Sequence, residues 1–107
     1  MASIYYDKLV RDRIPQIIRD GGKSCQTRIL DEEEYVKLLE KKLSEELSEY
    51  LEDKNPEELA DLLEVMMALA EAKGWGWEEI EKLRREKKEN RGGFSQRILL
   101  QSVTKED

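Results

Sequence analysis

The sequence predicts a mainly α-helical protein, an antiparallel helical bundle that carries a small two-stranded β-ribbon. Apolar residues recur at helical spacing through the middle of the chain, and residue types that start and stop helices separate these runs. Two stretches, 24–30 and 94–103, are richer in strand-forming residues, and we expect them to pair as the ribbon. Because 107 residues suffice for one domain at most, we predict a single domain over 1–107.

The first two helices are predicted from their start and stop signals. A short helix lies within 8–19 and ends at a pair of glycines, which are favourable helix stops. A long second helix opens at Asp31 and Glu34, whose spacing resembles a capping box, and runs to about Asp53.

The third and fourth helices follow the same logic. Asn55 is a good helix cap and Pro56 suits the first helical position, so a helix starts there and runs to about Lys73. A highly charged fourth helix is predicted from Trp77 to about Asn90.

Composition and charge exclude several function classes. The net charge is -6 and no basic block is present, which argues against binding to DNA or RNA polymers. Without a long apolar run or a secretory signal at the start, we expect no membrane partner and a cytoplasmic location. One cysteine and no histidine allow neither an internal disulfide nor a Cys/His zinc site. A chain this short builds only a small core, which favours a homo-oligomer, either a dimer or a tetramer.

Two acidic motifs on neighbouring predicted helices carry the functional information. They are Glu-Glu-Leu-Ser-Glu at 45–49 and Glu-Glu-Leu-Ala-Asp at 57–61. Each motif holds two carboxylates three residues apart, which share a helix face, and the short connection makes the helices antiparallel neighbours. Converging carboxylates beside an apolar stripe need a cation, and a set of oxygen donors suits Mg²⁺ or Mn²⁺. The candidate ligands are Glu46, Glu49, Glu58 and Asp61.

The residue pattern alone leaves two alternatives open. Charged helical residues usually form a solvated face, so the chain can equally be a non-enzymatic helical interaction module whose acidic face binds a basic partner. Glu58 also stands three residues after Asn55, where a carboxylate serves a capping box without any metal.

The ordered motifs resemble those of a known superfamily. EExxE followed by ExxD resembles the signature of the MazG-like, all-α nucleoside triphosphate pyrophosphohydrolases. The flanks KLVRDRIP at 8–15 and RGGF at 91–94 resemble a small single-domain house-cleaning branch of it. The resemblance implies Mg²⁺-dependent hydrolysis of a nucleoside triphosphate, including non-standard or damaged ones, to the monophosphate and pyrophosphate. It also implies that Glu46, Glu49, Glu58 and Asp61 bind the metal, and that Glu45 is a further ligand or orients the attacking water.

Basic residues are expected to bind the phosphates of such a substrate. Lys8 and Arg11 lie three residues apart, and Lys87 and Arg91 lie four apart on one helix face, so either pair can reach one polyphosphate. Their alternative is an ordinary solvated face. Nothing in the sequence identifies the base or the sugar of the nucleotide.

Overall fold

The computed structural model describes residues 2–106, and all regular structure in that range is helical. Its four helices are α1 (Ile14–Asp20), α2 (Glu32–Asp53), α3 (Pro56–Ala72) and α4 (Trp77–Arg91). The prediction of a mainly α-helical protein is therefore confirmed. The chain forms two compact units, one reaching to Trp75 with the first three helices and one from Gly76 onwards with α4. The prediction of one domain over 1–107 stays a prediction.

Helix α1 occupies the end of the predicted 8–19 segment and runs one residue past it. It begins at Ile14, with a proline in its first turn, and ends at Asp20 before the two glycines. Proline is tolerated in the first turn because the amide groups there have no helical partner. The preceding residues, 2–11, have no regular structure.

Helices α2 and α3 form a hairpin whose ends are fixed by local hydrogen bonds. The Asp31 side chain accepts a hydrogen bond of 2.8 Å from the backbone N–H of Glu34 and caps α2. Lys54, in the left-handed conformation at φ 51°, ends α2 with an N–H bond of 2.7 Å to the carbonyl of Tyr50. Asn55 then caps α3. A two-residue link therefore turns the chain back on itself, and the two helices pack along each other.

The core of this hairpin is small. Leu39 on α2 and Val65 and Ala70 on α3 are the buried apolar residues among those described. Other members of the apolar stripes are open to solvent, including Leu47 at 47% and Met66 at 41% exposure. Much of the apolar surface of α2 and α3 is thus left uncovered by the chain itself.

The predicted β-ribbon is wrong, since neither 24–30 nor 94–103 contains a strand. Strand propensity alone does not form a strand, because the backbone groups need a partner. In the first stretch, Arg28 instead donates two hydrogen bonds of 3.0 Å to Glu34 at the start of α2. In the second, a turn joins Phe94 to Arg97, and Ile98 is 80% exposed. An exposed side chain such as Ile98 gains no buried apolar contact that would favour strand pairing.

Length and polarity also bear on membrane insertion. Among residues 2–106, no helix combines the length and the apolar character that a membrane crossing requires.

Candidate metal centre

Three of the four predicted metal ligands converge in the α2–α3 hairpin. Glu46 comes from α2, and Glu58 and Asp61 come from the first two turns of α3. One carboxylate oxygen of each lies within 4.8 Å of the others. The convergence follows from the two-residue link, because it sets the last turns of α2 beside the first turns of α3.

Glu46 is the most deeply placed of the three. It is 7% exposed, which makes it the one buried charged residue among those described. Its Oε1 lies 3.4 Å from Nζ of Lys42, one turn earlier, but its buried Oε2 has no hydrogen-bond partner. Burial, followed by the neighbouring Glu49 carboxylate, raises the pKa of Glu46. A buried carboxylate oxygen without a partner is costly, and a cation at this position would satisfy it.

Glu58 has the same deficiency. Its Oε2 is buried without a partner, and its pKa is raised to about 6 by burial first, then by Asp53, Glu49 and Asp61. Four carboxyl groups thus crowd one another, and a proton or a metal ion relieves the repulsion between them.

The capping alternative for Glu58 is only half realised. Its backbone N–H donates to Oδ1 of Asn55 at 3.1 Å, so the cap at the start of α3 is made by Asn55. The return bond of a capping box, in which the backbone N–H of Asn55 would donate to the Glu58 carboxylate, does not form among residues 2–106. The carboxylate of Glu58 lies instead beside those of Glu46 and Asp61, and these three residues are called the acidic group below.

Asp61 already has a cationic partner. Nη2 of Arg11, from the irregular segment before α1, donates a hydrogen bond of 2.7 Å to its Oδ1. Both side chains are about half exposed, at 56% and 42%. Arg11, predicted as a phosphate ligand, is therefore bound to a predicted metal ligand.

The other two predicted acids lie beside the group rather than in it. Glu49 is exposed, yet its carboxylate is near enough to raise the pKa of Glu46 and of Glu58. Glu45 lines a separate small pocket of about 70 Å³ between the N-terminal segment and α2. The same pocket is lined by three lysines, Lys8, Lys41 and Lys42.

The predicted phosphate ligands Lys87 and Arg91 belong to the second unit. Both are exposed residues of the last turns of α4, four positions apart. Gly92 ends that helix at φ 84°, which favours glycine there. Their assignment to phosphate stays a prediction.

Sequence reasoning missed two members of the site, Lys42 and Asp53. The sequence spacing of both residues could have identified them, because residues three or four apart on a helix are neighbours. Lys42 stands four residues before Glu46 and Asp53 four after Glu49, so all four share one side of α2.

The group offers oxygen donors only, which is the ligand chemistry of hard divalent cations. The two orphaned carboxylate oxygens fit Mg²⁺ or Mn²⁺, since either cation would neutralise them together. The residues that would hold it are Glu46, Glu58 and Asp61, with Glu49 beside them.

Comparisons with known proteins add one partial similarity. No family model matches the chain, and no solved structure matches it. A stretch of 42 residues is 48% identical to an uncharacterized protein of Mycolicibacterium smegmatis, covering 39% of this chain and 43% of that protein. The chain thus spans less than half of that relative, and the similarity assigns neither a family nor an activity.

Proposed function

We propose that this protein is a MazG-like nucleoside triphosphate pyrophosphohydrolase that uses Mg²⁺ or Mn²⁺. The observation that carries the proposal is the acidic group, in which Glu46, Glu58 and Asp61 meet and two buried oxygens have no partner. The two acidic motifs and the flanking KLVRDRIP and RGGF segments supply the reaction class by their resemblance to that superfamily. The products are a nucleoside monophosphate and pyrophosphate.

The acidic residues have different proposed roles in binding the cation and in positioning water. Glu46, Glu58 and Asp61 would hold the cation, with Glu49 beside them. When bound, the cation supplies charge for the phosphate oxygens and lowers the pKa of a coordinated water. Glu45, next to Glu46 on α2, is either a further ligand or the group that orients the attacking water.

Basic side chains bind the phosphate oxygens of the substrate. Lys8 and Lys41 line the pocket beside Glu45, where an ammonium group can stabilise negative charge on a phosphate. Lys87 and Arg91 are the further phosphate ligands, and the planar guanidinium of Arg91 suits two oxygens at once.

A panel of nucleoside triphosphates tests the activity, with pyrophosphate release as the measurement. Standard, deoxy and chemically damaged nucleotides are each incubated with Mg²⁺ and with Mn²⁺. We expect metal-dependent release from at least one of them. If none is cleaved with either cation, the proposed hydrolase activity is wrong.

The rival function is a non-enzymatic helical module that binds a basic partner. Metal binding distinguishes it from the proposed hydrolase. A cation that binds only the folded state must raise the melting temperature. A melting curve that millimolar Mg²⁺ and Mn²⁺ both leave unchanged would favour the module. The burial of Glu46 does not support it, because a basic partner binds exposed acids.

The uncovered apolar surface of the hairpin supports a homo-oligomer. A groove of about 410 Å³ runs between α2 and α3, and Leu43, Leu47, Leu62 and Met66 line it. Apolar residues next to it are also open to solvent: Leu51 at 56%, Leu59 at 51% and Leu63 at 46% exposure. A second hairpin seated on this face would complete an antiparallel four-helix bundle and bury the leucines.

Light scattering after size exclusion tests the assembly. We expect a dimer or a tetramer at micromolar concentration, and a monomer would contradict the proposal. Leu63→Glu places a charge on this face and should dissociate the assembly. Leu83→Glu, at a leucine of α4 with a similar exposure of 49%, is the matched control and should leave the assembly intact.

A further inference from the structure

The hydrogen bond between Arg11 and Asp61 joins parts of the chain that are 50 residues apart. The backbone of Arg11 is fixed at the entry to α1, where its carbonyl accepts a bond of 3.0 Å from the N–H of Ile14. Its guanidinium then reaches α3 and meets a carboxylate that belongs to the acidic group. The contact therefore places a positive charge at the candidate metal centre itself.

Stability does not explain this contact. Both partners are about half exposed, and ion pairs so open to water contribute little to folding. The buried oxygens without a partner are Oε2 of Glu46 and Oε2 of Glu58, and Arg11 leaves both unsatisfied. The guanidinium instead neutralises Asp61, a ligand that is open to solvent.

We propose that Arg11 is an exchangeable counter-ion of the metal centre, which competes with the cation for Asp61 and is then released to the substrate. This inference rests on the proposed function. In the metal-free protein the guanidinium occupies Asp61. A divalent cation bound by Glu46, Glu58 and Asp61 repels the guanidinium from that carboxylate. Arg11 then stands next to the bound cation, where the phosphate oxygens of a nucleotide would lie, and it can bind them in a forked geometry.

The proposed exchange predicts that Arg11 has opposite effects on cation binding and on phosphate binding. Removing Arg11 should strengthen the binding of the cation alone, because a resident positive charge has gone. It should at the same time weaken the binding of a phosphate ligand. A residue that merely steadied Asp61 as a metal ligand would do the opposite for the cation, since partners that orient ligands raise metal affinity.

Titration calorimetry with Mn²⁺ alone tests this on the full chain. We expect Arg11→Gln to bind Mn²⁺ about fivefold or more tightly than the wild type, as a coupling between two sites of ordinary strength would give. Arg11→Lys keeps the charge and should stay near the wild-type affinity. Arg13→Gln is the matched control, because Arg13 lies in the same segment, is exposed and forms no ion pair within the described range. Its Mn²⁺ affinity should not change.

Pyrophosphate is the second probe. In saturating Mn²⁺, Arg11→Gln should bind inorganic pyrophosphate several-fold more weakly than the wild type or Arg13→Gln. Unchanged or weaker Mn²⁺ binding by Arg11→Gln would overturn the proposal, as would unchanged pyrophosphate binding. A wild type that binds no Mn²⁺ at all would instead refute the metal centre and the proposed function.

Discussion

Replacing Glu58 by glutamine separates metal binding from helix capping. In the metal-free protein the change removes a charge from a buried oxygen that has no partner and lies beside three other carboxylates. We therefore expect the metal-free variant to melt at or above the wild type. With Mn²⁺ present, we expect its stabilisation to shrink and its hydrolysis to fall by orders of magnitude, because the cation has lost a ligand.

The size of the metal effect follows from linkage. A cation at a concentration of about 100 times its Kd stabilises a folded protein by about 2.7 kcal/mol. One kcal/mol moves the melting temperature of a domain of this size by about 4 to 8 °C, so the wild type should gain about 11 to 22 °C. If losing a ligand weakens binding about 100-fold, the same Mn²⁺ raises the melting temperature of the variant by only about 2 to 3 °C.

Differential scanning fluorimetry with and without Mn²⁺ measures both effects. Glu57→Gln is the matched control, because Glu57 lies in the same first turn of α3 but is exposed and outside the acidic group. It removes the same charge from the same helix end. If the two variants lose equal stability and both keep the full response to Mn²⁺, Glu58 serves the helix end and the metal assignment is refuted.

Three further predictions use other measurements. Because the folded pKa of Glu58 is about 6 against an ordinary 4.5, the folded state binds the extra proton between these values. The negative charge of Glu58 should therefore destabilise the folded state less and less as the pH drops from 7 to 4.5. In melting curves of the metal-free proteins, the stability difference between the wild type and Glu58→Gln should narrow over the same pH range. Leu39→Ala, at a leucine only 2% exposed, should cost about 2–5 kcal/mol in urea unfolding. Leu99→Ala, at 81% exposure, should change stability by less than about 0.5 kcal/mol, and equal losses would contradict the assigned core. Arg91→Ala, and less strongly Lys87→Ala, should slow turnover while Mn²⁺ affinity by calorimetry stays constant; an equal loss of Mn²⁺ affinity would show that this division of roles is wrong.

The parts of the fold that depend on local signals were predictable from the sequence. Asp31 and Asn55 cap α2 and α3 as predicted, because capping involves only residues within one helical turn. Two helices joined by two residues must run antiparallel. The meeting of Glu46 with Glu58 and Asp61 could therefore be expected from helix geometry and the length of the link.

The parts that depend on distant contacts were not predictable in this way. A strand requires a partner elsewhere in the chain, and the propensity of 24–30 and 94–103 carries no information about one. The contact of Arg11 with Asp61 depends on the path of a segment without regular structure, which no periodicity describes. Lys42 is different, since its spacing from Glu46 could have identified it but was not used in the prediction.

The short link between α2 and α3 has a consequence for the order of folding. All three carboxylates lie within 16 residues of chain, from Glu46 to Asp61, and helical hairpins with such local contacts form quickly. Arg11 must close a loop of 50 residues to reach Asp61, and loop closure costs more entropy as the loop lengthens. We therefore expect the acidic group to assemble before its counter-ion arrives. Under the proposed metal binding, a cation present during synthesis would meet a vacant Asp61, and the nascent chain could bind it without first displacing the arginine.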